Sequence, residues 1–130
     1  MYRWVEHTGE LELHVQAPSL SSVFEDALAA FAELVAEGAG REEARHELVV
    51  EAADPASLLA EFLGELVFLA ETRDFVPGRA TALEVDGRRL RATVEGTVGR
   101  PPHLVKAVTY HALELRKEDD GFHARAVLDV

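Results

Sequence analysis

From Glu10 to Ala17 polar and apolar residues alternate, with Leu11, Leu13, Val15 and Ala17 on one face and Glu10, Glu12, His14 and Gln16 on the other. A period of two is the mark of a strand buried on one side. Tyr2 to Glu6 reads as a shorter strand, and His7-Thr8-Gly9 as the turn between the two, with Gly9 free to take a positive φ. The pair predicts a hairpin. The period then lengthens. Val23, Phe24, Ala27, Leu28, Phe31, Leu34 and Val35 recur at helical spacing, Ser22 and Glu25 stand in the positions of a capping box, and Gly38 and Gly40 end the run. After a short strand centred on Leu48 and Val50, Asp54 supplies an N-cap for a second helix. Its first turn begins at Pro55, where a missing N–H is no loss. Leu58, Leu59, Phe62, Leu63, Leu66 and Leu69 form its apolar face. Phe24, Phe31, Phe62 and Phe68 follow these stripes and are expected in the core.

Strand patterns return from Arg79. Asp86-Gly87 separates two alternating runs, the second over Arg88 to Val98, which predicts a tight hairpin. Arg100-Pro101-Pro102 interrupts the pattern, after which Ala107 to Arg116 and Phe122 to Val130 flank the polar turn Glu118-Asp119-Asp120-Gly121. Tyr110 alternates with Val108 and is expected to be a core aromatic with its hydroxyl at the surface. The order is ββαβαββββ, with no internal repeat and no long linker. It predicts one α+β domain over residues 1–130, a mostly antiparallel sheet with two helices packed on it.

Charge narrows the partners. Thirteen basic residues against twenty-four acidic ones give a net charge of -11, so the average surface repels phosphate backbones and strong direct nucleic-acid binding is not expected. The same field favours a basic protein surface or a metal cation. Arg88, Arg89 and Arg91 form the single basic cluster, and in so acidic a chain it reads as a solvated edge, not an RNA contact. The chain has no cysteine, which removes disulfides, thiolate zinc sites and cysteine nucleophiles and suits a reducing cytoplasm. The opening MYRWVEHTGELEL lacks the basic start and apolar run of a secretory signal. The most apolar stretch, Leu66 to Ala70, is far shorter than the roughly 20 residues of a membrane-spanning helix.

Three segments hold the candidate chemistry: Glu-His-Thr-Gly-Glu at residues 6–10, Lys-Ala-Val-Thr-Tyr-His-Ala-Leu-Glu at 106–114, and Val-Leu-Asp-Val at 127–130. Together they resemble the archease family, small α+β proteins with a DHTAD-like motif near the start, a K-A-(V/I)-T-Y-H motif in the last third and an ending close to V-D-(I/V). The resemblance spans essentially the whole chain, and KAVTYH is its specific part. It implies an accessory protein for an RtcB-type RNA ligase, one that promotes guanylylation with GTP and multiple turnover in tRNA splicing and RNA repair. It also implies a divalent metal, commonly calcium, held by Glu10, Asp129 and Val130, with Val130 contributing main-chain oxygens. Glu6, His7, Lys106 and His111 become candidate partner-binding residues. Glu6, Gly9 and Glu10 depart from the motif's first aspartate, its alanine and its second aspartate. In Glu10 the extra methylene moves the carboxylate outward and adds a torsion to freeze.

Carboxylate oxygens are the ligands hard cations prefer, and calcium tolerates uneven coordination better than magnesium. If the two ends of the chain meet, Glu10 and Asp129 share one negative pocket that needs a counterion. Without the resemblance, both residues read as ordinary acids at strand ends, Lys106 as an edge guard, and His7 as a turn histidine bonded to its own backbone. A small metal-dependent hydrolase or phosphotransferase using Glu10, Asp129 and His7 is the alternative from another class. It lacks a P-loop, a nucleophile elbow, a Rossmann glycine pattern and HExxH spacing. A general chaperone or binding module would instead require an exposed apolar patch or groove.

Overall fold

A computed structural model describes residues 1–130. Its elements are β1 (Tyr2–His7), β2 (Glu10–Ala17), α1 (Leu20–Val35), β3 (Glu42–Glu51), α2 (Pro55–Arg73), β4 (Phe75–Val85), β5 (Arg89–Val98), β6 (Ala107–Glu118) and β7 (Gly121–Asp129), with a 3₁₀ turn at Ala36–Gly38. The α+β class and the element order hold. The strands divide into two antiparallel sheets, β1-β2-β7-β6 and β3-β5-β4.

In the first sheet β1 and β2 pair from Tyr2 opposite Val15 to His7 opposite Glu10, which leaves Thr8-Gly9 to turn the chain with Gly9 at φ 76. The alternation seen in sequence sends Leu13, Val15 and Ala17 of β2 inward, and all three are buried. β2 is an inner strand, with β7 along its other side. The hairpin at the start of the chain is thus completed by a strand from its end.

The helices follow their caps. Ser19 caps α1: its hydroxyl accepts from the Ser22 backbone N–H while the Ser19 backbone N–H donates to the Ser22 hydroxyl. This capping box lies one turn ahead of the Ser22–Glu25 pair suggested by spacing, and it brings the partly buried Leu20 into the helix and against the core. Asp54 caps α2 as predicted, accepting from the Ser57 N–H at 2.8 Å with Pro55 next to it. The Phe24 and Phe62 rings meet edge to face at 5.8 Å between α1 and α2. Phe68 departs from expectation. It shares the solvent side of α2 with Glu61, Glu65 and Thr72, at helical spacing, and is 54% exposed.

β4 begins at Phe75, ahead of the expected Arg79, because Pro77 and Gly78 sit within it at a register shift. β4 is an edge strand, where proline removes no ladder bond. Its partner across the ladder is Gly96, whose backbone lies so near β4 that a Cβ there would come 2.0 Å from the Val76 carbonyl oxygen. Both sheets and both helices contribute to one cluster of 29 buried apolar residues, and no polar or charged residue is buried. Neither helix is long and apolar enough to cross a membrane.

Candidate functional site

Glu10 stands opposite His7 on one side and Asp129 on the other, and Asp129 in turn stands opposite Ala107 of β6. Residues directly opposed in an antiparallel ladder project from the same face with Cβ atoms about 4.5–5.5 Å apart. The Glu10 and Asp129 side chains are therefore neighbours on one face at the end of the sheet. Two backbone bonds fasten the end of the chain there: the Val130 N–H donates to the Gly9 carbonyl at 3.0 Å, and the Lys106 N–H donates to the Asp129 carbonyl at 2.8 Å. Residues 129–130 are clamped between the β1–β2 turn and the start of β6. Glu10, Asp129 and Val130 are all partly exposed. Two carboxylates and the main-chain oxygens of Val130 make an oxygen-only donor set, whose chemistry suits a hard cation such as calcium or magnesium.

Glu6, His7 and Lys106 sit at this same end, whereas His111 lies further along β6. The His7 ring does not bond its own backbone. Its Nε2 lies 3.0 Å from Glu12 Oε2, and His14 Nε2 lies 2.8 Å from the other oxygen of the same carboxylate. Partial burial pushes the Glu12 carboxyl up, but the hydrogen bonds and charge of His7 and His14 outweigh this and hold it below its ordinary value.

Beside the end of the sheet lies a cleft of about 370 Å³. Trp4, Leu11, Leu34, Leu104 and Val130 give it apolar walls, and Glu6, His7 and Glu10 also line it. Trp4 and Glu6 oppose Leu13 and Leu11, so the cleft opens on the face of the sheet that carries the core, near where α1 ends.

The KAVTYH segment does not run as a regular strand. Thr109 opposes Val127 and Glu114 opposes Arg125, so residues 110–113 face Ala126 alone in a wide bulge. Ala112 at its crest has φ 57, in the left-handed region. Its carbonyl accepts from Arg125 Nε at 2.9 Å, and the His111 N–H donates to Thr109 Oγ1 at 3.0 Å. The bulge breaks the period-two alternation and turns Tyr110 outward: it is 55% exposed, not core, and its hydroxyl donates to Glu61 Oε1 on α2 at 2.6 Å. That bond, with burial and the Glu61 charge, raises the Tyr110 hydroxyl above its ordinary pKa. His111 beside it is exposed.

At the opposite end of the sheet His123 pairs with Glu118 at 3.1 Å and Asp120 at 3.3 Å, a cluster that the polar turn in the sequence did not reveal. Asp120 also accepts from Gln16 Nε2 at 2.9 Å. Within the arginine cluster only the Arg89 side chain pairs with an acid. Arg89 lies 3.7 Å from Glu51, and the Arg88 and Arg89 backbone N–H groups donate to Asp86 Oδ1 at 3.0 and 2.9 Å. Those two backbone bonds hold the Asp86 carboxyl below its ordinary value.

Residues 2–130 match the profile of the Archease protein family (MTH1598/TM1083). A relative named protein archease from Methanosarcina acetivorans is 31% identical over an alignment of 139 residues that covers 99% of this chain and 95% of the relative. The protein archease of Pyrobaculum calidifontis is also 31% identical, with the same coverage of both chains. The solution structure of Methanobacterium thermoautotrophicum protein 1598 superposes with a TM-score of 0.73 at 29% identity, covering 99% of this chain and 98% of that one. A Thermotoga maritima crystal structure, described as an archease and possible chaperone, shares the fold with a TM-score of 0.70 at 18% identity, covering 100% of this chain and 98% of its own. With motifs, fold and full-length relatives in agreement, the chain belongs to the archease protein family.

Proposed function

We propose that this archease is an accessory protein for an RtcB-type RNA ligase, promoting its GTP-dependent guanylylation and turnover in tRNA splicing and RNA repair in the cytoplasm, without catalysing a reaction itself. The observation that carries this reading is the pairing of Glu10 with Asp129 across β2 and β7, with Val130 fastened beside them. Two acids side by side are the arrangement a shared cation needs, here in a member of the family. The description of the Thermotoga maritima relative as a possible chaperone is a coarser form of the same role, action on another protein.

In this reading the Glu10 and Asp129 carboxylates and the main-chain oxygens of Val130 hold a divalent cation, calcium by preference because of its tolerance of irregular coordination. When bound, the cation supplies local positive charge at one end of a strongly acidic protein. The clamp from Gly9 and Lys106 orders the donors before any ligand arrives, which lowers the entropy lost on binding. Glu6, His7 and Lys106 at the same end, and His111 on the bulge, contact the ligase. A net charge of -11 steers the encounter towards a basic surface of that enzyme.

The test is a guanylylation assay with the cognate ligase, GTP and a divalent cation, comparing wild type with Glu10→Ala and Asp129→Ala. Wild type should accelerate guanylylation, and each variant should lose most of that stimulation. Absence of stimulation by wild type removes the function. Full stimulation by both variants removes the site and leaves the partner standing.

A further inference from the structure

The cleft beside the candidate cation site is apolar inside and acidic around it. Trp4 and Leu11 come from the first hairpin, Leu34 from the last turn of α1 and Leu104 from the segment before β6. Leu104 is 45% exposed, in contrast to the buried leucines of α2. A volume of about 370 Å³ lies within the range of small ligand pockets and admits a bulky side chain. Among the lining residues the charges are one-sided. Glu6 and Glu10 line the cleft, the His7 ring is engaged with Glu12, and no lysine or arginine is among the lining residues.

We infer that this cleft anchors a segment of the partner ligase in which an apolar side chain is flanked by lysine or arginine. The apolar side chain enters between Trp4, Leu34 and Leu104, and the flanking cation meets Glu6. The inference rests on the proposed function for the identity of the partner, and adds where that partner is gripped and by what chemistry. Charge complementarity selects the occupant. An acidic segment, or a second copy of this chain at a net charge of -11, would set like charges beside Glu6 and Glu10, a juxtaposition that opposes association. A buried apolar anchor with a charge pair at its edge is also the arrangement in which a few residues carry most of the binding energy. Glu10 and Val130 line the cleft and also belong to the candidate cation site, so the two adjoin at the end of the sheet.

The experiment places the photo-crosslinking residue p-benzoylphenylalanine at position 104, irradiates the full chain with the cognate ligase, and maps the crosslinked peptide by mass spectrometry. In parallel, Leu104→Ser and Glu6→Gln are titrated against the ligase, with melting temperature as a check on folding. The expected crosslink falls on a ligase segment that joins an apolar residue to lysine or arginine. Each variant should bind about tenfold more weakly or worse, with an unchanged melting temperature. Crosslinks confined to an acidic ligase segment or to a second copy of this chain overturn the inference. So does wild-type affinity in both variants, and in that case ligase stimulation by wild type would leave the proposed function intact. A wild-type chain that neither binds nor stimulates the ligase overturns both.

Discussion

Arg125 Nε donates to the carbonyl oxygen of Ala112 at 2.9 Å, tying the crest of the β6 bulge to β7. The same guanidinium lies 3.4 Å from Glu114 Oε2, so one side chain braces both the crest and the far shoulder. The brace matters because Ala112 holds φ 57, a conformation that costs a non-glycine residue about 1–2 kcal/mol. Ala112→Gly should leave stability equal or higher in urea unfolding, while Ala112→Val should lower it by about 1–2 kcal/mol. Arg125→Ala should cost about 1–2 kcal/mol and speed hydrogen exchange at residues 110–113. Equal stability of the valine variant and wild type would show that the crest is not held in this conformation.

Titration of the two tyrosines reads the clamp between the bulge and α2. Tyr110 is raised by its bond to Glu61, by burial and by the Glu61 charge, and Tyr2 by burial and its bond to Glu33. Both phenols should ionise above about 10, the usual value, in ultraviolet absorbance, and Glu61→Gln should return one of them towards it. For a raised group the linked stability is complete below the unfolded pKa and is lost as pH rises through the folded one. An identical titration curve in Glu61→Gln would remove the Tyr110–Glu61 bond from the solution structure.

Glu12 gives the opposite sign. Its carboxyl lies below its ordinary value because His7 and His14 outweigh the effect of burial, so its stabilising contribution is complete above about pH 4.3 and is lost as pH falls through the lowered pKa. Glu12→Gln should be less stable than wild type near pH 5.5, and the two should converge near about pH 2.5. A gap that persists undiminished in acid would mean that the carboxylate charge contributes nothing.

The two phenylalanines of α2 should behave differently. Phe62 is fully buried and meets Phe24, whereas Phe68 is 54% exposed. Phe62→Ala should cost about 3–5 kcal/mol in denaturant unfolding, and Phe68→Ala no more than about 0.5 kcal/mol. Comparable losses at the two positions would contradict the orientation of α2.

Calcium should raise the melting temperature of wild type in a concentration-dependent way, since a ligand of the folded state stabilises it by mass action. Glu10→Ala and Asp129→Ala should abolish that shift while keeping the fold. A shift of wild-type size in either variant would place the ion elsewhere.

The local part of this architecture could be read directly. Asp54-Pro55 announced α2, Asp86-Gly87 the β4–β5 turn, and the alternation over residues 10–17 the buried face of β2. The features that escaped depend on pairing between distant segments. Nothing local in the strands assigns β3, β5 and β4 to a sheet apart from β1, β2, β7 and β6. The bulge escaped for a related reason: it has neither glycine nor proline, and Ala112 reaches its left-handed conformation through a brace from Arg125 on another strand. A period-two reading assumes one residue opposite one, and so it sends Tyr110 to the core, whereas the bulge turns it outward. Residues 6–10 and 127–130 stood out through the family resemblance, while their adjacency follows from the β2–β7 ladder. The cleft stayed hidden because its walls come from β1, β2, α1, the segment before β6 and the residue after β7.

The β2–β7 ladder also governs when the candidate site comes into being. Glu10 and its partner Asp129 are separated by 119 positions, so the long loop between them must close before the two acids meet. During synthesis the first hairpin emerges early and waits with one flank of β2 unpaired while the helices and the second sheet follow. A nascent or prematurely ended chain therefore has no half-strength version of the acidic pair, and only a chain that has delivered its last strand can present it.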